Sequence, residues 1–515
     1  MISQTDRIII NTIAQYARIV LVIILMLYST RIVLKELGGD GFGLYSLIAS
    51  ALAFLSFLNT ALTRTTQRFL SYYMGKGDMD QQSEVVVNAF FLNFAISAVT
   101  ILIMVIVEPF LFNGFLRIGI DQTDIAKTLY RLMVVCVFFT MNIAPFNAIF
   151  VSHENIVFSS VAYVLVAILR LTAAFLLSLY APKDKLIAYG IFMCIISIIE
   201  FLLFAVTAWV KYKETRSFCK LSLLNRSLLV EILSFSGWNL YNVICVIGRE
   251  QGYAVVINRF VSLTANAGYG IANQVSGQIN NFVYTVSHAV SPVIMKSAGA
   301  NDREKMISYS VSSSKISALL LSMIAIPFIF EIKGILELWL GSVPAYAESF
   351  ITIILMASMA DCLSSGFKTG IQAMGRMRSF SLFSYTLKIS SIPVSVILLY
   401  QGVHIEMALI PYVILELFSS IIVMSIFCRG TGVIFSKMII KLLKQTFPAF
   451  FVAIAINIVI CNVMEASLMR IFTSFIATVT LLLFTTYFTS LDSYERILVK
   501  SLINRIIHKH KILND

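Results

Sequence analysis

Charged residues are scarce in this chain. Only 13% of its 515 residues are Asp, Glu, Lys or Arg, whereas an ordinary soluble domain carries about 25%. The seven cysteines show no paired spacing and the five histidines form no cluster, so neither a disulfide framework nor a cysteine or histidine metal site is indicated. A multi-domain soluble enzyme, a secreted disulfide scaffold and a disordered chain are therefore excluded.

Long apolar runs are abundant instead. Hydrophobic residues make up 58% of the sequence, and their runs are continuous, which excludes the alternating pattern of an outer-membrane barrel. We predict an all-α polytopic membrane protein with fourteen transmembrane helices of about 20 residues each. The predicted spans are 8–33, 43–67, 85–107, 128–151, 157–180, 186–210, 234–257, 266–290, 310–330, 349–373, 379–400, 405–428, 446–463 and 469–489.

The basic residues indicate how the chain is oriented in the membrane. With the N-terminus inside, the cytoplasmic segments hold 25 Lys and Arg residues and the outward loops hold 9. Because basic residues collect in cytoplasmic loops, we expect both termini in the cytoplasm. This bias also accounts for the net charge of +12 without a nucleic-acid partner.

Two sets of glycine motifs occur in matching places along the chain. In each half a basic residue is followed about ten positions later by a Gly-aromatic-Gly triplet, and a second glycine motif comes after the next span. The first half has Arg31, Gly41–Gly43 and Gly75–Asp78, and the second has Arg259, Gly268–Gly270 and Gly299–Asp302. The motifs follow the same membrane direction, so they predict a parallel internal repeat.

The repeat and the loop lengths together predict the domain organisation. We expect two six-helix lobes, at 1–210 and 234–428, joined by a cytoplasmic amphipathic linker at 211–233. In the linker, leucines alternate with charged residues, as in a helix lying at the membrane surface. An extra helix pair, 429–490, and a basic cytoplasmic tail, 491–515, follow the second lobe.

Polar side chains inside the predicted spans are the candidate functional groups. A charge at the bilayer centre costs about 3 kcal/mol, so it normally faces a bundle interior or an aqueous cavity. Arg18 and Arg249 are such charges, on the matched spans 1 and 7. The candidate amides of spans 1, 2, 7 and 8 are Gln15, Asn59, Asn242, Asn273, Gln274, Gln278 and Asn281. These residues predict a shared central cavity, although amides also hold transmembrane helices together and Arg249 can instead pair with Glu200 or Asp361.

The arginines favour an anionic ligand, because a guanidinium binds phosphate in a bidentate way and keeps its charge. There is no phosphate-binding glycine loop, no nucleotide domain and no acidic pair with metal spacing, so neither a cofactor nor a metal is expected. Glu250 and Asp361 are the candidates for binding a coupling proton or ion. A fixed ion pair between Glu250 and Arg170 or Lys388 is the alternative.

The sequence resembles polysaccharide flippases of the Wzx type, within the multidrug/oligosaccharidyl-lipid/polysaccharide exporter superfamily. The resemblance rests on Asn11-Thr12, Arg31 and Gly41-Phe42-Gly43-Leu44-Tyr45 near the start. It also rests on Ile335-Leu336-Glu337-Leu338-Trp339-Leu340-Gly341 before Pro344. It covers essentially the whole chain, including the two lobes, the linker and the extra helix pair.

This resemblance implies a two-lobe, alternating-access transporter that is not an enzyme. Its implied substrate is an undecaprenyl-pyrophosphate-linked oligosaccharide, flipped from the cytoplasmic to the periplasmic leaflet for surface polysaccharide assembly, with a polysaccharide polymerase as a further partner. Arg18, Arg31, Arg249 and Arg259 would then contact the pyrophosphate, and the amides would contact sugar hydroxyls.

Three other functions remain open. A multidrug or cation antiporter of the same superfamily would favour intramembrane acids in the first lobe, and spans 1–5 carry none well inside. A lipid II flippase would use the same cationic cavity. A membrane-embedded polymerase or ligase would need a large outward loop, and the longest ones are short.

Overall fold

The computed structural model describes residues 4–53, 56–112, 123–179, 184–217, 220–340, 343–490 and residue 496. All regular secondary structure in these ranges is helical, so the all-α fold is confirmed. The long apolar sequences account for it, because a backbone inside a bilayer must satisfy its own hydrogen bonds. The predicted tail, 491–515, lies outside the described residues except for Arg496.

Twenty α-helices are described. The first ten are α1 (Gln4–Ala53), α2 (Ser56–Lys76), α3 (Met79–Phe110), α4 (Thr123–Asn142), α5 (Ala144–Ser152), α6 (Ile156–Leu179), α7 (Lys185–Lys211), α8 (Arg226–Phe260), α9 (Leu263–Gly299) and α10 (Arg303–Phe330). The others are α11 (Ile332–Leu340), α12 (Ala347–Cys362), α13 (Ser365–Ala373), α14 (Met377–Phe380), α15 (Thr386–Ile389), α16 (Ser391–Tyr400), α17 (Ile405–Ala408), α18 (Ile410–Thr431), α19 (Phe435–Val463) and α20 (Leu468–Thr485).

Eleven described helical segments are long and apolar enough to cross a membrane, and the bent pair α12–α13 brings the number to twelve. The sequence predicts fourteen spans. The predicted span 266–290 lies in α9, which is too polar to qualify because of its amide and hydroxyl side chains. The predicted span 43–67 includes residues 54–55, which lie outside the described residues, so this comparison does not test it.

The chain divides into two compact units. The N-terminal unit contains Met1–Val243 and His288–Met306, and the C-terminal unit contains Ile244–Ser287 and Ile307–Asp515. The division passes through α8, α9 and α10 rather than through the linker. The domain boundaries expected from the sequence stay a prediction.

The turns after α2 and after α9 have the same backbone geometry. Gly77 and Asn301 both adopt a positive φ, of 73° and 56°. Asp78 N donates to Tyr73 O, and Asp302 N donates to Ser297 O, at 3.3 and 2.9 Å. Each aspartate then accepts from the backbone N–H three residues later, at 3.0 and 3.1 Å, which caps the next helix. These matching turns, 224 residues apart, support the repeat inferred from the glycine motifs.

A second matching pair was not recognised in the sequence. One span is interrupted at Ile143, between α4 and α5, and another is bent by 45° between α12 and α13. Each short second helix ends in the same turn, with a positive φ of 57° at Glu154 and 74° at Gly375. Glutamate and glycine share this conformation, so residue identity alone does not reveal the match.

Helices α2 and α9 cross within the N-terminal unit at the repeat-related glycines. A Cβ at Gly75 would lie 2.0 Å from Lys296 O, and a Cβ at Gly299 would lie 1.8 Å from Tyr72 O. More than one helical turn before these contacts on both helices, Gln67 Nε2 donates to Ser291 Oγ at 3.3 Å. The crossing is this close because neither glycine has a side chain.

The linker differs from the prediction. It contains two short 3₁₀ turns, Lys213–Ser217 and Leu221–Leu223, and from Arg226 onwards its residues are the first turns of α8. A separate surface helix is thus not formed by its described residues. Buried Glu214 accepts from His153 Nε2 at 2.5 Å, and Asn88 Nδ2 donates to Leu223 O at 3.0 Å. These bonds hold the linker against the N-terminal unit.

We expect acid to release this linker. Burial raises the pKa of the Glu214 carboxyl, but its hydrogen bond with His153 helps to lower the pKa below its usual range. A carboxyl with a lowered pKa stabilises the folded state above its unfolded pKa of about 4.3, and the contribution disappears as pH falls through the folded value. The protection factors of residues 213–217 in hydrogen exchange should therefore fall below about pH 4.

In Glu214→Gln the same amides should exchange faster at neutral pH and lose this acid-dependent step. Glu304→Gln, which removes an exposed carboxylate from the first turn of α10, serves as the control and should leave the profile unchanged. An unaltered profile in Glu214→Gln would contradict the ionic role of this carboxylate.

Candidate functional site

Arg18 is a basic side chain in the first half of α1. It is half-buried, and its guanidinium lies 5.1 Å from the ring centroid of Tyr163 on α6. No described residue forms an ion pair with it. One helical turn earlier, Gln15 is buried and its Nε2 has no hydrogen-bond partner among the described residues. Arg18 is thus a basic group without an ion-pair partner among the described residues, and a free amide donor lies one helical turn away.

A second arginine lies near Arg18 within the N-terminal unit. Arg64 on α2 and Arg18 both act electrostatically on His288 of α9, and Arg64 also lacks an ion pair with any described residue. His288 Nδ1 is buried without a hydrogen-bond partner among those residues. Arg64 is one of the 25 basic residues counted above as cytoplasmic, although it lies near the end of the predicted span 43–67. Because α2 continues to Lys76, Arg64 lies in the middle of a helix.

The C-terminal unit contains a buried network of five charged side chains. Arg249 Nη1 donates to Glu416 Oε2 at 2.6 Å. Lys388 contacts Glu416 and also donates to Asp361 Oδ1 at 2.6 Å. Lys368 donates to the same Asp361 oxygen. The least buried of these side chains, Lys368, is only 14% exposed, so all five charges depend on one another for compensation.

Irregular helices bring these charges together. Asp361 and Lys368 lie on the two sides of the bend between α12 and α13. Lys388 follows a π-helical turn at Ser381–Tyr385. Breaks and π-turns in membrane helices commonly occur at functional sites. Tyr284 of α9 donates to Asp361 Oδ2 at 3.2 Å, which connects the network to the amide-bearing helix.

The four arginines predicted to bind pyrophosphate are not all brought together. Arg18 and Arg31 are 13 residues apart on α1, and Arg249 and Arg259 are 10 residues apart on α8, which means separations of about 20 and 15 Å. One phosphate group can therefore contact at most one arginine of each pair. Arg31 and Arg259 are exposed, whereas Arg18 is half-buried and Arg249 is buried.

The predicted sugar-binding amides fall into two groups. Gln274, Gln278 and Asn281 are exposed on one face of α9, and their side chains have no hydrogen-bond partner among the described residues. Asn59 is half-buried and donates to Thr140 O at 3.2 Å, while Asn242 is buried and Asn273 is half-buried. The exposed face is thus free to bind a ligand, whereas Asn59 has a role in packing.

The coupling candidates have different surroundings. Asp361 already contacts two lysine ammonium groups. Half-buried Glu250 forms no ion pair with any described residue, so its predicted pairing with Lys388 is wrong. Arg249 pairs with Glu416 rather than with Glu200 or Asp361.

Glu416 and Lys368 were missed in the sequence. Glu416 lies among apolar residues of α18. Lys368 lies on α13 inside the predicted span 349–373, but it was counted with the cytoplasmic basic residues. A scan for charges inside the apolar runs would have found Glu416. Among the described residues, no group of three or more His, Cys, Asp or Glu side chains is arranged to hold a metal ion.

Comparison with known proteins gives similarity at the level of structure. No protein-family model matches the sequence, and no curated protein matches it either. A MATE protein in the bent conformation superposes with a TM-score of 0.71 at 14% identity, covering 85% of this chain and 97% of that one. An outward-facing multidrug resistance MATE family transporter of the MOP superfamily gives 0.66 at 14%, covering 84% and 96%.

A third similar structure is a MOP superfamily transporter from Pyrococcus furiosus. It gives a TM-score of 0.63 at 14% identity, covering 84% of this chain and 96% of that one. That protein is described as having a reversed polarity of its binding pocket, which suggests a different function for it. The match extends over nearly the full length of all three structures. The chain therefore has the fold of the MATE transporters of the MOP superfamily.

Proposed function

We propose that this protein flips a polyprenyl-pyrophosphate-linked oligosaccharide across the bacterial inner membrane by alternating access, for the assembly of surface polysaccharide. The observation that carries the proposal is the pair Arg18, half-buried on the spanning part of α1, and Arg64, exposed on α2. Both guanidiniums act electrostatically on His288, and neither has an acidic partner among the described residues. Uncompensated arginines are costly inside a membrane. A dianionic pyrophosphate would offset that cost through charge-assisted hydrogen bonds.

The exposed amide face of α9 supports the same substrate. Gln274, Gln278 and Asn281 offer both donors and acceptors, the groups that recognise sugar hydroxyls. The MOP superfamily fold supports membrane transport in general. The excess of basic residues in the predicted cytoplasmic segments supports loading from the cytoplasmic leaflet, with both termini on that side.

We expect Arg18→Gln and Arg64→Gln each to reduce flipping at least about tenfold, since a lost charge-assisted hydrogen bond costs about 1.5–3 kcal/mol and 1.4 kcal/mol is a factor of ten. The measurement is the translocation of a fluorescent polyprenyl-pyrophosphate oligosaccharide in proteoliposomes. The control is Lys35→Gln, which removes an exposed base from the same helix α1 and should leave the rate unchanged.

A multidrug antiporter is the rival, because one similar structure is a multidrug resistance transporter. The same proteoliposomes distinguish the two functions when they are loaded with a fluorescent organic cation. Cation exchange that survives Arg18→Gln, combined with no movement of the lipid-linked sugar, would overturn the flippase proposal. Movement of the sugar lipid without cation exchange would support it.

A further inference from the structure

The buried charge network of the C-terminal unit does not balance. Arg249, Lys368 and Lys388 contribute three positive charges, and Asp361 and Glu416 contribute two negative ones. No other described acidic side chain forms an ion pair with these three bases. Half-buried Glu250, the chain neighbour of Arg249, interacts with it electrostatically but lies outside this hydrogen-bonded network. A net charge of one sign in a low-dielectric interior is costly unless a counter-charge accompanies it.

The network also has more hydrogen-bond donors than acceptors. A guanidinium carries five N–H groups and each ammonium carries three. Arg249 uses Nη1 for Glu416, while its buried Nε has no acceptor among the described residues. Lys368 has one described acceptor, Asp361, for its three protons. Neutral water can accept such bonds, but it leaves the excess charge in place.

The surroundings limit what can supply the missing charge. The network side chains are at most 14% exposed, and one face of the Arg249 guanidinium is covered by the Tyr412 ring, with its centroid 4.1 Å away. A pyrophosphate with attached sugars is too large for such a site and carries more than one charge. A small monovalent anion satisfies both limits.

We propose that the network centred on Arg249, Lys368 and Lys388 binds one small monovalent anion, chloride under cellular conditions. The anion accepts hydrogen bonds that the two carboxylates leave unused and brings the cluster to neutrality. Lys368 is the most accessible of the three bases, and it lies next to the bend between α12 and α13. It is therefore the side chain through which the anion enters. The proposal does not depend on the flipping activity.

Binding of radiolabelled chloride to the purified full-length protein tests the proposal. We expect saturable binding by the wild type, retained in Lys368→Arg. In Lys368→Gln we expect affinity to fall at least about tenfold, which corresponds to about 1.4 kcal/mol, because this variant leaves two bases facing two acids. Lys333→Gln, which removes an exposed lysine of the same unit, should bind as the wild type does.

Thermal unfolding separates loss of the site from loss of the fold. In gluconate the Lys368→Gln protein should melt at or above the wild-type temperature, because its network is balanced without an anion. Replacing gluconate by chloride or bromide should raise the melting temperature of the wild type alone, since a ligand stabilises only the protein that binds it. No saturable binding by the wild type, or equal binding by Lys368→Gln, would overturn the proposal.

Discussion

Replacing Gly299 with Ala is expected to separate α2 from α9 and to remove most transport activity. The new Cβ would lie 1.8 Å from Tyr72 O, a backbone atom that cannot rotate away. Overpacking a close contact costs about 1–3 kcal/mol, and 1.4 kcal/mol changes a conformational population about tenfold. If the proposed alternating-access cycle needs this crossing closed in one of its states, that state would become rare and transport would be lost.

Distance measurements between spin labels test this expectation. Labels at Lys76 and Glu304, both exposed next to the crossing, should report a short distance in the parent and a longer one in Gly299→Ala. The matched control is Gly277→Ala on the same helix, where a Cβ meets nothing within 4 Å. An unchanged distance together with full transport in Gly299→Ala would show that the crossing adjusts freely.

Glu416→Leu is expected to destabilise the C-terminal unit by about 3–5 kcal/mol, the usual cost of removing one partner from a buried ion pair. The substitution leaves Arg249, Lys368 and Lys388 with Asp361 as their remaining carboxylate in the network. A large fall in the melting temperature of the purified protein is the measurement.

The double variant Glu416→Leu, Lys388→Met tests the cause of that fall. It restores the wild-type excess of a single positive charge, so it should be more stable than Glu416→Leu alone, although Lys388→Met by itself should be destabilising. Neighbouring charges are expected to be non-additive in this way. If the losses of unfolding free energy in the two single variants simply add up in the double variant, packing rather than charge compensation holds these helices together.

The sequence predicts the helices of this protein better than it predicts the contacts between them. Continuous apolar runs predicted the eleven described helical segments that can cross a membrane, and the bent pair α12–α13, because each run is long enough to cross the bilayer. The repeat was visible at Gly75–Asp78 and Gly299–Asp302 because a positive φ and a close approach favour particular residues. It was hidden at Glu154 and Gly375, where unlike residues adopt the same conformation.

The charged site was predicted in part. Arg18 and Arg249 were found because they interrupt apolar sequence, and the pairing of Arg249 was wrong because partner choice depends on how α8 and α18 pack. Lys368 and Arg64 lie near the ends of predicted spans and were counted as cytoplasmic. A short polar stretch in a sequence looks the same whether a helix bends, continues or ends. Helix continuity, which the structure supplies, decides where these charges lie.

The crossing of α2 and α9 is self-complementary. Gly75 lies against Lys296, and its repeat equivalent Gly299 lies against Tyr72, the repeat equivalent of Lys296. Gln67 hydrogen-bonds to its own repeat equivalent, Ser291. A symmetric homodimer of half-length chains would make the same reciprocal contact, and gene duplication with fusion would preserve it. In such an ancestor one substitution would change both sides of the crossing together. Fusion lets the two sides diverge, as Gly77 and Asn301 have done while keeping the same turn.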